Sequence, residues 1–397
     1  MIERIYQKVI QEHFSRNRQM LFLSGPRQVG KTTSSLNETS PGYYLNWDND
    51  VHRTLILEGP SAVARHLGLD NLRETLPVVV FDEIHKYRYW KRFLKGFFDT
   101  YEKQVRIIVT GSARLDVYKR GGDSMMGRYF LYRIHPLSVR EILDSSFKET
   151  EISTPKACPD FDLLVEYGGF PEPFVQRNVR FANRWRRLRL DLLFKEDLRD
   201  LTKIQDLGQI EVLAKILTAQ VGQLVDYTNL ANSVRVSSPT IQRWMKVLSS
   251  LYYCFTIQPW SKNISKSLVK QPKVYLWDWS LVKEKGARLE NFVASHLLKA
   301  VQFWTDSGIA EYGLFYLRDK SKREVDFLVT KNGKPWFLVE TKSSDKGISP
   351  SLYYYQKATG ALHAFQITFE RDFVQKDCFS FFEPIIVPAQ TFLSQLI

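Results

Sequence analysis

The segment Met20–Thr33, MLFLSGPRQVGKTT, constrains the fold more than any other stretch of the chain. An apolar run, Leu21–Leu23, leads directly into the pattern G-x-x-x-x-G-K-T, which requires a strand, a glycine-rich loop and the start of a helix. Gly25 and Gly30 allow successive backbone N–H groups to point inward, and the helix start adds partial positive charge. The spacing therefore predicts a parallel α/β domain that binds a nucleoside triphosphate. A chance glycine turn is the alternative.

The side chains of this segment indicate which cofactors it takes. The Lys31 ammonium can reach the β- and γ-phosphates, and the Thr32 hydroxyl can ligate Mg²⁺. We therefore predict ATP and Mg²⁺ as cofactors. The candidate nucleotide-binding residues of the loop and helix start are Gly25, Gln28, Gly30, Lys31, Thr32 and Thr33.

Two further apolar runs end in polar residues, as buried parallel strands with a functional edge do. The run Leu76–Glu83 ends in two acids, of which Asp82 is placed to hold Mg²⁺ and Glu83 to orient and polarise the attacking water. The run Val105–Ser112 ends in Thr110 and Ser112, whose hydroxyls either sense the γ-phosphate or cap the strand end. Strand and helix alternate across this half of the chain, which again predicts a parallel sheet.

Arg128 closes a glycine-rich segment that begins at Arg120. A guanidinium there could bring positive charge to the transition state, either within the chain or from a neighbouring subunit, so a homo-oligomer is compatible with the sequence. The alternative is an ordinary surface arginine.

Composition limits the class of protein. The chain has 397 residues, which suits two or three domains, and its 56 Lys and Arg against 43 Asp and Glu give a net charge of +13. Such a charge favours polyanionic partners, with DNA as the expected one, although a generic basic surface is the alternative. No apolar stretch is long enough to cross a membrane. Three isolated cysteines suggest reduced thiols in a cytoplasmic protein: Cys158, Cys254 and Cys378.

The middle of the chain, residues 151–280, reads as helical and basic. Residues 224–250 predict a helix-turn-helix, with Ser238 as N-cap of the second helix and Gln242, Arg243 and Lys246 on its outer side. Two predicted strands follow, which together with the helices indicate a winged helix. DNA binding is the preferred interpretation, and protein–protein contact is the alternative.

The last third, residues 281–397, brings acids and a lysine together. Glu290 lies at the start of a helix, and two strands carry Asp326 and then Glu340 and Lys342. A three-residue loop with Gly333 left-handed would place Asp326, Glu340 and Lys342 on one face and gather on the other face Val325, Phe327, Val329, Phe337 and Val339. Burial favours this register over a two-residue Asn332–Gly333 turn.

Clustered carboxylates repel one another, and a bound hard divalent cation usually neutralises this repulsion. We therefore expect Mg²⁺ at Glu290, Asp326 and Glu340, with Lys342 positioning or deprotonating a metal-bound water that attacks a phosphodiester. A polar strand edge without chemistry is the alternative.

Two resemblances follow from these motifs. GPRQVGKT, VVVFDE and IIVTGS, followed by GRYFLYRIHPLSVREI, resemble the AAA-type ATPase domain of a bacterial and archaeal family whose C-terminal region was long of unknown function. This implies Lys31 and Thr32 on phosphates and Mg²⁺, Asp82 on the metal, Glu83 on water and Ser112 as a sensor. The acids and lysine of the last third are similar to the PD-(D/E)XK nuclease fold, with Val325 where that fold has proline.

The resemblances imply a three-part organisation: an AAA-type P-loop domain at 1–150, a helical connector with a winged helix at 151–280, and a restriction-endonuclease-like α/β domain at 281–397. The expected function is an ATPase that acts on DNA, with ATP turnover regulating DNA binding or Mg²⁺-dependent cleavage. The alternative is a nucleotide-dependent switch or scaffold whose C-terminal domain only binds DNA or protein.

Overall fold

A computed structural model of the chain describes residues 2–39, 41–111, 125–144, 151–198, 207–261, 271–343 and 347–397. Internal contacts divide the chain into two compact units. The first unit runs to His135, and the second contains Pro136–Asp144 and Lys148–Ile397. The segment 136–144, which follows the last strand of the first unit, therefore packs with the second unit.

The first unit is built on a five-stranded sheet in which every pair of neighbours is parallel. This confirms the predicted parallel α/β fold of the N-terminal part. The spatial order is β2-β3-β4-β1-β5. The strands are β1 (Met20–Ser24), β2 (Tyr44–Asn46), β3 (Val78–Asp82), β4 (Arg106–Gly111) and β5 (Tyr129–Arg133).

Helices cover the sheet of the first unit, and their apolar sides form its core. The amphipathic spacing of α5 buries Trp90, Phe93, Leu94, Phe97 and Phe98 against the sheet. The helices are α1 (Ile5–Arg16), α2 (Lys31–Leu36), α3 (Asp50–Leu57), α4 (Pro60–His66) and α5 (Trp90–Tyr101).

The second unit begins with a run of helices. They are α6 (Val139–Leu143), α7 (Phe161–Tyr167), α8 (Pro171–Gln176), α9 (Val179–Leu192), α10 (Leu207–Ala219), α11 (Tyr227–Val234) and α12 (Ser238–Ser250). A π-helical turn, Leu193–Asp197, extends α9.

Helices α11 and α12 form the helix-turn-helix pair that the sequence predicts. Arg235 adopts a left-handed conformation with φ of 60° and ends α11. The N-cap of α12 is Ser237 rather than the expected Ser238, because the Ser237 hydroxyl accepts the N–H of Thr240. The inner side of α12 is buried at Ile241, Trp244, Met245 and Leu248, and the outer side is exposed at Gln242, Arg243 and Lys246.

A seven-stranded mixed sheet, in the order β12-β11-β10-β9-β8-β6-β7, organises the rest of the second unit. Its strands are β6 (Cys254–Pro259), β7 (Lys273–Leu276), β8 (Tyr312–Arg318), β9 (Glu324–Lys331), β10 (Lys334–Lys342), β11 (His363–Thr368) and β12 (Ile385–Pro388). Three helices accompany it: α13 (Lys285–Asp306), α14 (Pro350–Thr359) and α15 (Ala389–Leu393). The hairpin β6–β7, which follows the helix-turn-helix, thus belongs to the same sheet as the acid-bearing strands.

The turn between β9 and β10 differs from the expected one. Asn332 and Gly333 form a two-residue turn with φ of 50° and 75°, and Lys331 pairs with Lys334. The predicted three-residue loop is therefore wrong. A register shift between Pro335 and Phe337 adds to β10 the one extra residue that the three-residue loop was expected to provide. As a result, Val339 pairs with Phe327. Asp326 and Glu340, the residues next to this pair along the two strands, therefore lie on the same face of the sheet, as predicted. Val325 was expected on the opposite face with Phe327, but it packs in the cluster of Leu328 and Leu338.

Two expectations from composition can be compared with the described residues. All three cysteines, Cys158, Cys254 and Cys378, are buried and free of disulfides. Among the residues that the structure covers, no helix combines the length and the apolar character that a membrane crossing demands.

Candidate functional site

The glycine-rich loop lies at the carboxyl end of β1, pressed against the end of β5. A Cβ on Gly25 would lie 2.4 Å from the carbonyl oxygen of Ile134, so no side chain fits there. Gly30 has φ of 99° and Gln28 has φ of 62°, both left-handed, and α2 begins at Lys31. The backbone thus turns sharply twice within the loop, as a phosphate cradle requires.

Lys31 lies inside this loop. Its side chain is buried, and its ammonium donates hydrogen bonds to the carbonyl oxygens of Gly25 at 2.9 Å and Pro26 at 2.8 Å. A buried ammonium next to inward-turning backbone is the charge arrangement that stabilises phosphate oxygens.

Asp82 is the last residue of β3, and its carboxylate accepts hydrogen bonds from hydroxyl groups of three different elements. Thr32 donates to Asp82 Oδ2 at 3.1 Å, Tyr44 donates to the same oxygen at 2.6 Å, and Thr110 donates to Oδ1. Asp82 is 5% exposed, so these bonds compensate most of the hydration that its carboxylate loses. Burial of the Tyr44 side chain, together with the neighbouring Asp82 carboxylate, raises the pKa of Tyr44, which keeps that phenol protonated as a donor.

Glu83 follows Asp82 in a left-handed conformation, with φ of 56°, that turns its side chain away from the strand direction. Burial raises the pKa of Glu83, while Lys31 and Lys86 oppose that rise. Its Oε2 lies 3.5 Å from Lys86 Nζ and 3.7 Å from His85 Nε2, and accepts no hydrogen bond from the described residues. A carboxylate that is desolvated and incompletely satisfied is a good candidate for receiving a proton.

The residues of this site fit Mg²⁺ and a triphosphate. A threonine hydroxyl beside a single carboxylate is a hard oxygen pair, and Mg²⁺ is commonly held by one or two carboxylates together with substrate phosphates. Thr32 and Asp82 supply that pair. The glycine-rich loop, with the buried ammonium of Lys31 inside it, suits the phosphates.

Arg4 supports the loop, and sequence reasoning missed it. Its guanidinium is 4% exposed and donates to the carbonyl oxygens of Val29 and, at 2.6 Å, His135. Next to it, the Tyr6 hydroxyl donates to the carbonyl of Arg133 at 3.0 Å. An arginine ahead of a helix follows no recognisable motif, so the local sequence held no signal for this role.

The other predicted nucleotide-site residues differ in how well they are placed. Gln28 and Thr33 lie in the loop and helix start with exposed side chains. Ser112 lies outside the described residues. Arg128 precedes β5, at the opposite edge of the sheet from the loop, and its guanidinium makes a bidentate ion pair with Asp99 at 2.7 and 2.9 Å. The structure therefore does not bring Arg128 to the phosphate site of its own chain.

The acidic residues of the second unit do come together. Lys342 Nζ lies 2.7 Å from Glu340 Oε1, the Thr341 N–H donates to Asp326 Oδ2 at 2.8 Å, and the Tyr275 hydroxyl donates to Glu290 Oε1 at 2.7 Å. Burial and the neighbouring Asp326 carboxylate raise the pKa values of Glu290 and Glu340. The predicted convergence of these acids with a lysine is thus observed.

A second lysine, Lys273 from β7, lies within this cluster. Its ammonium is 2.6 Å from Glu324 Oε1, 3.3 Å from Asp326 Oδ1 and 3.4 Å from Glu290 Oε1, and the residue is 2% exposed. These carboxylates raise the pKa of Lys273, although burial acts in the opposite direction. No group of three acidic, histidine or cysteine side chains arranged for a metal ion occurs in the described part of the chain. The ammonium of Lys273 thus lies among the carboxylates at which the sequence predicts Mg²⁺. A lysine in the otherwise apolar strand KVYL was the available signal.

Three family models match consecutive parts of the chain. Residues 17–143 match a model described as an AAA domain, which supports the AAA-type ATPase part of the resemblance. Residues 158–288 match a domain of unknown function, DUF8612, and residues 285–377 match another, DUF4143.

Two curated proteins, both described as uncharacterized, are similar to most of this chain. The uncharacterized protein Rv2008c of Mycobacterium tuberculosis is 25% identical over 350 residues, covering 84% of this chain and 72% of the relative. The uncharacterized protein MJ1544 of Methanocaldococcus jannaschii is 25% identical over 323 residues, covering 74% and 69%.

Among solved structures, AMPPCP-bound DnaA from Aquifex aeolicus matches with 14% identity and a TM-score of 0.29, covering 62% of this chain and 87% of that one. A signal transduction ATPase with numerous domains from Pyrococcus horikoshii matches with 11% identity and a TM-score of 0.31, covering 78% and 48%. These TM-scores are too low to bear on function.

Proposed function

We propose that the first unit binds ATP with Mg²⁺ and hydrolyses it. The observation that carries this proposal is the contact between Thr32 and Asp82 beside the buried ammonium of Lys31, at the carboxyl edge of a parallel sheet. Ligands bind at this edge in open α/β sheets. The match of residues 17–143 to an AAA domain supports the same conclusion.

In this proposal the protein residues divide the work of hydrolysis. Lys31 and the loop amides hold and neutralise the phosphates, while Thr32 and Asp82 hold Mg²⁺, which withdraws charge from the phosphate oxygens when bound. Glu83 orients a water and accepts its proton as the water oxygen bonds to the γ-phosphorus and ADP leaves with the electrons of the broken P–O bond.

The test is phosphate release from ATP by the full chain, together with nucleotide affinity. Lys31→Met should weaken ATP binding at least about 10-fold and abolish turnover, since one ammonium on phosphate oxygens makes strong charge-assisted hydrogen bonds. Lys103→Met is the matched control, because Lys103 is exposed on the same unit. If Lys31→Met and Lys103→Met behave alike, the proposed site is wrong.

We also propose that the second helix of the helix-turn-helix binds DNA, and that ATP turnover regulates this binding in the cytoplasm. Gln242, Arg243 and Lys246 are exposed along one side of α12, and amide, guanidinium and ammonium groups are those that read base edges and phosphates. The charge of +13 adds a general attraction to polyanions. A protein-binding role of the same helix is the alternative.

Fluorescence anisotropy with duplex DNA at several salt concentrations tests this second proposal. The double substitution Arg243→Ala and Lys246→Ala should weaken binding and lower the salt slope by up to about 2, one for each lost phosphate contact. Lys103→Ala, at an exposed lysine of the first unit, is the control. Unchanged binding by the double variant would assign α12 to protein contact instead.

For the C-terminal part we favour binding over cleavage. The contact of Lys342 with Glu340, next to Asp326, supports Mg²⁺-dependent phosphodiester cleavage, but the ammonium of Lys273 lies among the acids where such a metal would bind. We therefore propose that the chain is a nucleotide-dependent switch whose nuclease-like part binds DNA or protein and does not cleave DNA. A plasmid-nicking assay tests this choice. If the wild-type protein nicks plasmid DNA in the presence of Mg²⁺ and Asp326→Ala does not, the C-terminal part is a nuclease and the proposal of binding alone is wrong.

A further inference from the structure

We infer that Lys273 is an internal counterion that takes the place of a divalent cation in the acid cluster of Glu290, Asp326 and Glu340 and excludes metal ions from it. This inference concerns the second unit and does not depend on the proposed ATPase activity. It assigns a role to a residue outside every motif of the chain.

The ammonium of Lys273 contacts several of the carboxylates that a metal ion would bind. A lysine ammonium has three donors, and that of Lys273 lies within 3.4 Å of carboxylate oxygens of Glu290, Glu324 and Asp326. The other oxygen of Asp326 accepts the N–H of Thr341, and the Glu290 oxygen near Lys273 also accepts the Tyr275 hydroxyl. Lys273 therefore takes up acceptor oxygens of Glu290 and Asp326 that a metal ion would need, while Glu340 Oε2 is buried without a hydrogen bond from the described residues.

Charge balance leads to the same conclusion. When all three are ionised, Glu290, Asp326 and Glu340 carry three negative charges, and Lys342 offsets one of them through its contact with Glu340. The remaining two would match a divalent cation. Lys273 reduces them to one, while Glu324 is separately paired with Arg318 at 2.8 Å. A divalent cation added beside Lys273 would leave the buried cluster with net positive charge, which is costly at low dielectric.

The backbone holds the lysine in this position. The three residues after it, Val274, Tyr275 and Leu276, are buried in β7. The carbonyl of Val274 accepts the N–H of Gly222 at 2.9 Å, and Lys273 is paired with Ile257 of β6. The backbone of Lys273 is part of the sheet and the residue is 2% exposed, so its ammonium is enclosed next to the acids.

Mn²⁺ binding to the nucleotide-free full chain tests the inference, because free Mn²⁺ is measured directly by electron paramagnetic resonance. The parent is Asp82→Asn, which removes the carboxylate of the other candidate metal site. We expect the parent to show no saturable Mn²⁺ site. Adding Lys273→Met should create one site per chain, and adding Asp326→Asn to that variant should remove it again. Lys273→Arg keeps the charge and should behave as the parent.

If the variants fold, two results would overturn the inference. One is a saturable Mn²⁺ site in the parent that Asp326→Asn abolishes, because the lysine would then coexist with a metal. The other is a folded Lys273→Met variant, with the parent's circular dichroism, that gains no site. If Lys273→Met unfolds, Mn²⁺ should restore its fold, and failure of Mn²⁺ to do so would equally contradict the inference.

Discussion

The Thr32 hydroxyl donates a hydrogen bond to Asp82 Oδ2 across 3.1 Å, and this contact joins the start of α2 to the end of β3. The two residues are far apart in the sequence and meet because β3 and β1 both direct their carboxyl ends to one edge of the parallel sheet. The contact holds two hard oxygen groups next to each other, as the proposed Mg²⁺ site requires.

The first prediction follows from this contact. Asp82→Asn should abolish the stimulation of ATP hydrolysis by Mg²⁺, since a neutral amide cannot replace the carboxylate charge, while ATP affinity in the presence of EDTA should change little. Phosphate release titrated with Mg²⁺ measures the effect. Asp99→Asn is the control, because Asp99 pairs with Arg128 at the opposite edge of the sheet. Equal Mg²⁺ dependence of the two variants would exclude Asp82 as the metal residue.

The second prediction separates binding from chemistry. Glu83→Gln should keep ATP affinity and lower turnover by about 10²-fold or more, the usual scale for losing general-base assistance. Because burial raises the pKa of Glu83, wild-type turnover should fall as the pH decreases through that raised pKa. The turnover of Glu83→Gln should not show this decrease. Glu58→Gln, at an exposed helix end, is the control. Wild-type turnover in Glu83→Gln would remove Glu83 from this role.

The third prediction concerns the space at the phosphate loop. Gly25→Ala would place a Cβ 2.4 Å from the backbone oxygen of Ile134, and backbone cannot move aside as a flexible side chain can. We expect the first unit to lose about 1–3 kcal/mol of unfolding free energy, the typical cost of overpacking, together with ATP affinity. Gly42→Ala, where no atom lies within 4 Å of the new Cβ, should be neutral in chemical denaturation and in nucleotide titration. Equal effects of the two substitutions would refute the steric argument.

Local patterns in the sequence were sufficient for the elements and for the nucleotide site. The apolar runs and the glycine spacing predicted β1, β3 and β4 and the placement of Lys31, Thr32 and Asp82, because parallel strands buried on both faces read as continuous apolar runs. The shared face of Asp326 and Glu340 in the hairpin β9–β10 was predicted correctly but for the wrong reason, and Val325 packs with Leu328 and Leu338, not in the predicted set. Its Asn332–Gly333 turn is the ordinary two-residue one, and a bulge near Trp336 restores the register that burial demands.

Side chains that reach a site from a distant part of the chain could not be predicted in this way. Arg4 contacts the phosphate loop across 25 residues of sequence, and Lys273 contacts Asp326 across 53. Both are single basic residues next to unremarkable segments, and their positions depend on tertiary packing. The prediction of Mg²⁺ at the C-terminal acids counted carboxylates alone and did not include Lys273, whose position among them depends on the tertiary fold.

The last prediction concerns the attachment of segment 136–144 to the rest of the second unit. His296 Nε2 accepts the backbone N–H of Val139 at 3.0 Å, and His296 Nδ1 lies 2.7 Å from the carbonyl oxygen of Phe292. Nδ1 therefore carries the proton and the ring must be neutral. Burial lowers the pKa of His296 to about 3, with a smaller contribution from Lys299 in the same direction.

The sign of the pH effect follows from this depressed pKa. In the unfolded chain the imidazole protonates below its ordinary pKa of 6.5, whereas in the folded chain it stays neutral until about 3. The stabilisation is therefore complete above pH 6.5 and is lost as the pH falls toward 3, at up to about 1.4 kcal/mol per pH unit. Urea unfolding between pH 7.5 and 5 should show this loss, on the order of 2 kcal/mol, in wild type and not in His296→Gln.

The comparison must be made as a difference between variants, because Glu290 and Glu340 have raised pKa values and contribute the opposite slope in both proteins. His296→Gln should be less stable than wild type at pH 7.5, and the gap should narrow as the pH falls. His66→Gln, at an exposed histidine of the first unit, should run parallel to wild type. A gap between wild type and His296→Gln that stays constant across this range would show that the ring is not held neutral, and the hydrogen bond from Val139 would then lose its assigned role.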